Sequence, residues 1–287
     1  MINSKTKLVG LIGNPISHSK SPQMHNAVFE KLYLNYRYLA FKVEPQHLKQ
    51  AIEGVKAFEI KGLNVTIPFK VDVMPLLDEL SEEAKIIGAV NTIVNHSGKL
   101  TGYNTDGEGY LRSLTEETGV ELENKSVLIL GAGGAARAVG YALSRHPLKN
   151  LLIANRGRER AAQLISELSK YTLTEYVPYL SLKAAVEKAD VIINTTSVGM
   201  YPNIEQTLIN KEWITPNHLV SDIIYNPLKT RLIKDAKKQG AKIHTGLGMF
   251  VYQGLIAFEK WTGITPDPDL MRKTVLKSSV KNIDLGI

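Results

Sequence analysis

Apolar and polar positions follow two periods along this chain. KLVGLIG at 7–13, YRYLAFKV at 36–43, GLNVTI at 62–67 and GAVNTIVN at 88–95 carry the alternation or the unbroken apolar run of β-strands. Between them, residues 22–34, 47–59 and 69–87 repeat apolar side chains at three and four positions, the period of helices. Ser21 suits the N-cap of the first of these and Pro22 its first helical position. The second half opens on a continuous apolar strand, Val127-Leu128-Ile129-Leu130, which runs into glycines and an alanine-rich helix. LLIAN, a helix from about 158, ADVIINTT, HLVSDIIY, a helix near 230–239 and KIHTG follow. GMFVYQGLIAFEKWTG reads as a helix, and the tail from about 266 as a further short one. Strands and helices alternating from end to end predict an α/β fold with mainly parallel sheets.

Two boundaries are placed, near Asp106 and near Gly246. They divide the chain into segments 1–106, 107–245 and 246–287, the helices of the last expected to return to the first.

Composition narrows the chemistry. The 287 residues are 44% hydrophobic and 22% charged, as in a globular protein with a real core. No apolar run reaches the roughly 18 residues of a membrane span, and the start lacks the pattern of a signal peptide, so the cytoplasm is the expected setting. The absence of cysteine excludes disulfides, thiolate metal sites and a cysteine nucleophile. The net charge of +7 favours anionic partners. Its basic residues are scattered and no aromatics interleave with them, so small anions fit better than nucleic acid. The seven histidines show no ligand spacing beyond the loose pair His18 and His25, read as structural, and no metal is expected.

Gly131-Ala132-Gly133-Gly134-Ala135-Ala136 matches G-x-G-x-x-G/A between a strand and a helix. The glycines permit a tight turn and let backbone N–H groups meet a pyrophosphate at the helix N-terminus. The next strand ends Asn155-Arg156-Gly157-Arg158-Glu159-Arg160. A carboxylate is missing where NAD wants one, and guanidiniums stand where a 2′-phosphate needs them. NADP is favoured, although Glu159 leaves one place for an acidic ribose partner.

Hydride transfer needs a proton donor near the reacting oxygen. The candidates lie outside the dinucleotide domain: Ser19 and Ser21 in HSKSP, Asn64, Thr66 and Lys70 in GLNVTIPFK, Asn91 in GAVNT, and Asp106 in GYNTDG. Singly, each also reads as a cap, a turn residue or a strand-end amide.

Together they say more. GNPISHSKSPQMHN, GLNVTIPFK, GAVNTI, GYNTDG, ILGAGGAARA, ANRGRER, TTSVGM and GLGMFVYQG, in this order across nearly the whole chain, resemble the shikimate/quinate dehydrogenase family. The resemblance implies reduction of 3-dehydroshikimate to shikimate with NADPH, a step of aromatic amino-acid biosynthesis. It also implies that 1–106 is an N-terminal α/β substrate domain, 107–245 a Rossmann-type dinucleotide-binding domain and 246–287 C-terminal helices packing back on the first. By motif it makes Lys70 and Asp106 the catalytic pair, and Ser19 and Ser21 the partners of the substrate carboxylate. It places Asn64, Thr66, Asn91 and Asp106 around the ring hydroxyls, with Tyr225 and Gln253 closing the pocket. On the cofactor side it assigns Gly131, Ala132, Gly133, Gly134 and Ala135 to the phosphate loop. Asn155, Arg156 and Arg160 fall on the 2′-phosphate clasp, and Thr196, Ile223, Gly246 and Met249 around the nicotinamide half. Gly157 departs from the family, which often has a hydroxyl residue there.

Three rivals follow from the same residues. One is an enzyme preferring quinate or using both dinucleotides; another is an inactive relative regulating transcription, against which Lys70, Asp106 and the lack of a DNA-binding segment argue. The third is nucleic-acid binding through the net charge. The expected partners are small molecules, with neither nucleic acid nor membrane, and the assembly is left open between monomer and homodimer.

Overall fold

The structure, a computed structural model, describes residues 2–284, with side chains through 278. It forms two compact units, Met1–Thr105 with Gln253–Ile287, and Asp106–Tyr252.

In the first unit Lys7–Gly13 forms β1, Ser21–Lys31 α1, Tyr36–Lys42 β2, Leu48–Ala57 α2 and Gly62–Val65 β3. Glu79–Leu80 forms β4, Glu82–Ile87 α3, Thr92–His96 β5 and Lys99–Tyr103 β6. The sheet order is β2-β1-β3-β5-β6-β4. β1 lies parallel to β2 and β3, whereas β5 runs antiparallel to both β3 and β6, so this sheet is mixed. Ile12, Leu63, Val65, Ile93 and Leu100 meet Leu48, Ile52 and Val55 of α2 in one core.

Of the helix expected over 69–87 only the last six residues form one, as α3. After Pro68 the chain turns to a single 3-10 turn at Met74–Leu76, then enters β4. Pro75 supplies no N–H to a helix. The Asp78 carboxylate instead accepts from the Leu100 N–H at 2.7 Å and pairs with Lys56 at 2.8 Å, which lays β4 beside β6. Val73, Met74, Leu76, Leu77 and Leu80 do reach the core, so before Ser81 the apolar period was real and the helix was not. The strand expected over 88–95 begins only at Thr92, because Gly88 adopts φ 71° as the left-handed cap of α3.

The second unit begins with α4 (Asp106–Thr118), a helix that the turn-rich look of GYNTDGEG conceals. Then come β7 (Ser126–Leu130), α5 (Gly134–Ser144), β8 (Asn150–Ala154), α6 (Arg158–Leu168), β9 (Thr174–Val177), α7 (Leu182–Lys188) and β10 (Val191–Asn194). β11 (Leu219–Asp222), α8 (Arg231–Lys238), β12 (Lys242–Thr245) and α9 (Gly246–Thr262) complete the series. β9 and α7 were not foreseen. All strands are parallel, in the order β12-β11-β10-β7-β8-β9. Alternate side chains feed two cores. Val127, Ile129, Leu151, Ile153, Val191 and Ile193 pack with Tyr110, Val139 and Leu164 on one face. Leu128, Leu130, Leu152, Ile192 and Val220 pack with Leu182, Val186, Leu232 and Ala236 on the other. That is why these strands read as unbroken apolar runs.

From Gln253 onward the chain packs within the first unit. Trp261 donates from its indole N–H to the Ile93 carbonyl at 3.0 Å, and Phe258 stacks on Phe29 at 4.9 Å. The last helix, α10 (Pro268–Asp284), lies against α1 and is longer than the short tail helix expected.

Candidate active site

In the first unit the predicted residues gather where strands end. Asn64 is the third residue of β3, only 6% exposed. Its Nδ2 donates to the Asn91 carbonyl at 3.3 Å and to Thr92 Oγ1 at 3.2 Å. Asn91 precedes β5, and its Oδ1 accepts from the Thr105 N–H at 2.8 Å and from the Thr92 hydroxyl at 3.0 Å. Thr105 Oγ1 donates to the Gln253 carbonyl at 3.1 Å. Buried amides and hydroxyls thus run without a break from β3 to the start of the C-terminal segment.

Thr66 and Lys70 follow β3 in a turn closed by the Phe69 N–H on the Thr66 carbonyl at 3.0 Å. Phe69 is 1% exposed and fills the core, and the Lys70 carbonyl accepts from the Val90 N–H at 2.7 Å. The backbone of Lys70 is therefore held from both sides, while its side chain is half-buried. Ser19 and Ser21 stand at the start of α1. The N-cap position falls on Lys20, one residue before the one predicted, and Ser21 is the first residue of the helix. Ser19 Oγ accepts from the Ser21 N–H at 3.3 Å, so the earlier serine takes the capping part. Asp106 follows Thr105 directly and opens α4 in the second unit.

In the second unit every predicted cofactor residue but Arg160 lies within five positions of a strand's carboxyl end. Gly131 follows β7, Asn155 follows β8, Thr196 lies two residues beyond β10, Ile223 follows β11 and Gly246 follows β12. β7 and β10 are neighbours whose next strands depart to opposite sides, the crevice where open α/β sheets take ligands. Gly131 holds φ 112°, and a Cβ there would meet Thr195 Oγ1 at 2.8 Å, so the turn demands glycine. A Cβ on Gly133 or Gly134 would meet nothing within 4 Å, and α5 begins there with no side chain capping it. Open backbone before uncapped helical N–H groups fits a dinucleotide pyrophosphate. Gly246 sits so tightly that a Cβ would lie 2.2 Å from the Ile223 carbonyl, and Met249 and Ile223 pack on the same core.

The turn after β8 holds no carboxylate. Arg156 and Arg160 are exposed there, as is Glu159 in the first turn of α6. Thr196 is oriented by Asn194, whose Oδ1 accepts from its hydroxyl at 2.7 Å. Asn194 in turn donates to both Asp222 carboxylate oxygens at 3.2 Å. Burial pushes the Asp222 carboxyl up to about 6, against the bonds from Thr230, Ile224 and Asn194. Tyr225 stacks on Phe250 at 4.9 Å. Among the described residues no group of three or more His, Asp or Glu is placed to hold a metal ion, and no helix is long and apolar enough to cross a membrane.

Comparison with known proteins matches the first unit, residues 11–93, to the shikimate dehydrogenase substrate binding domain. Residues 113–221 match the shikimate / quinate 5-dehydrogenase family, and 246–276 the shikimate 5'-dehydrogenase C-terminal domain. A shikimate dehydrogenase (NADP(+)) of Methanococcus maripaludis is 50% identical over 278 residues, covering 96% of this chain and 99% of its own. The chain belongs to the shikimate dehydrogenase family. A crystal structure of a shikimate dehydrogenase in complex with NADP+ superposes with a TM-score of 0.90 at 45% identity, covering 97% of each chain. The enzyme from Listeria monocytogenes, crystallised with shikimate and NAD, gives 0.90 at 38% identity, covering 95% of this chain and 97% of its own.

As a member of this family the chain also carries residues that the motifs left unmarked. Tyr38, Thr92 and Thr105 are all buried and all bonded to predicted site residues. Thr92 and Thr105 sit inside quoted motifs beside Asn91 and Asp106, and only adjacency could have flagged them. Tyr38 had no such signal, since it lies mid-strand in a run that reads as ordinary core.

Proposed function

We propose that this chain catalyses, in the cytoplasm, the reversible NADPH-dependent reduction of 3-dehydroshikimate to shikimate, with Lys70 as proton carrier and Asp106 as its partner. The observation that carries this reading is the buried chain of amides and hydroxyls linking Asn64, Asn91 and the Gln253 backbone, in a chain half identical to an NADP-dependent shikimate dehydrogenase. A polyhydroxylated ring acid needs donors and acceptors fixed along its rim, and strand-end side chains supply them with little ordering cost.

In this assignment Gly131, Ala132, Gly133, Gly134 and Ala135 hold the pyrophosphate, and Asn155, Arg156 and Arg160 the 2′-phosphate. Thr196, Ile223, Gly246 and Met249 border the nicotinamide. NADPH, when bound, supplies the hydride that reaches the ketone carbon. Lys70 gives the ketone oxygen its proton from the ammonium, and takes one back from the alcohol in the oxidative direction. Asp106 orients that ammonium and accepts the neighbouring substrate hydroxyl. Ser19 and Ser21 donate to the substrate carboxylate at the N-terminal end of α1, where backbone N–H groups favour an anion. Asn64, Thr66 and Asn91 meet the ring hydroxyls, and Tyr225 and Gln253 complete the enclosure. Such a site rejects acids lacking a hydroxyl, because its buried polar groups would be left unpaired.

Steady-state rates with shikimate and with quinate, each against NADP and NAD, test the assignment. Shikimate with NADP is expected to give the highest kcat/KM of the four. Equal or better use of quinate would overturn the substrate, and equal use of NAD the cofactor preference.

A further inference from the structure

The side chain amide of Asn64 is held at both ends, at its oxygen by a residue that no motif contains. Its Nδ2 faces the Asn91 carbonyl, an atom that can only accept, so the orientation of the amide is determined. Thr92 Oγ1 receives the same nitrogen at 3.2 Å. The carbonyl end, Oδ1, then accepts from the Tyr38 phenol at 2.8 Å. Tyr38 stands on β2 and Asn64 on β3, with β1 between them. Two strand spacings amount to about 9–10 Å. The aromatic side chain crosses most of that gap, held rigid by stacking on His25 at 4.5 Å. Asn26 ties its backbone N–H and carbonyl to α1.

We infer that Tyr38 and Thr92 are positioning residues for substrate: they fix the Asn64 amide with its oxygen toward Tyr38, leaving that oxygen's second lone pair to accept a ring hydroxyl. This inference rests on the proposed role of Asn64 in binding shikimate. Without the phenol the buried amide oxygen loses its donor, and the amide is free to rotate away from the orientation the ring requires.

The test compares Tyr38→Phe, Asn64→Ala and the double variant, measuring KM for shikimate and for NADP, kcat and thermal unfolding. Tyr38→Phe keeps the ring in the core and removes one oxygen. It is expected to raise the shikimate KM about 3- to 15-fold, the range of one buried hydrogen bond, with the NADP KM unchanged. In the Asn64→Ala background the same change should alter the shikimate KM less than about two-fold, because the two act as one unit. Full additivity, an unchanged shikimate KM in Tyr38→Phe, or equal loss toward both ligands would overturn the inference. If Asn64→Ala alone leaves shikimate binding intact, the underlying assignment of Asn64 fails and the inference falls with it. Thr92→Val, which removes one of the two acceptors at the nitrogen end at constant shape, carries the same expectation and serves if Tyr38→Phe does not fold.

Discussion

Asn155 donates from Nδ2 to the carbonyl of Gly157 at 2.8 Å, tying the turn after β8 with a neutral amide. The same turn presents Arg156, and α6 begins one residue beyond Gly157 with no side chain capping it. The first prediction follows from this arrangement. Charged hydrogen bonds are worth about 1.5–3 kcal/mol, so Arg156→Ala or Arg160→Ala should raise the NADP KM roughly 10- to 100-fold and leave NAD use nearly unchanged. Equal loss with both cofactors would remove the 2′-phosphate from the explanation.

Gly157 itself offers a gain. Its φ is −90°, and an added Cβ would meet only the Asn155 amide nitrogen, at 3.7 Å. Gly157→Ser should therefore fold without strain and stabilise α6 by a few tenths of a kcal/mol as an N-cap. The new hydroxyl should lower the NADP KM while leaving that of NAD alone. A melt lowered by several degrees would mean that this turn does not tolerate a side chain.

Ser19→Ala and Ser21→Ala are expected to weaken shikimate binding with little change in NADP binding. Ser21 lies inside α1 and is not its cap, so no cap is lost with its hydroxyl. A fall in stability with an unaltered shikimate KM would assign Ser21 to the fold.

Lys70→Ala should cut kcat by roughly 10²- to 10⁴-fold, the usual worth of positioned acid–base catalysis, with both ligands still bound. Lys70→Met keeps the stem's packing and should be almost as slow. Turnover within a few-fold of the parent, with only the shikimate KM raised, would make Lys70 a binding residue and move the proton to Asp106.

Acid should destabilise the fold through His25. The imidazole is fully buried among Tyr38, Phe258 and Trp261, has no hydrogen-bond partner among the described residues, and is pushed by burial down to about 3. Its ordinary value is near 6.5, so the neutral ring's contribution is full above that pH and is lost as pH falls through about 3. Asp222 works in the opposite sense: raised to about 6, it favours the fold below its ordinary 3.8 and loses that contribution as pH rises through 6. His25→Leu should flatten the acid limb of a stability-versus-pH curve measured by urea unfolding. An acid limb of unchanged steepness would place its origin in other groups.

Much of this enzyme was present in local order. The apolar runs at 127–130 and 151–154 announce strands buried on both faces, and Gly131 to Ala136 announce the turn between strand and helix. Both signals are local, because a strand's burial and a glycine's backbone freedom show in a few adjacent residues. The ordered motifs likewise carried Lys70, Asp106 and the serines, since each lies beside its own recognisable turn. The segment 69–87 shows where local order stops: its apolar spacing is helical, yet Asp78 bonds across to Leu100, and that choice depends on a strand 20 residues away. Tyr38 shows the same limit at the site. Nothing near it in sequence names Asn64, and only the placement of β2 and β3 on either side of β1 brings phenol and amide together. A hydrogen bond between strands that are not adjacent is set by sheet order, and sheet order is a property of the whole folded unit.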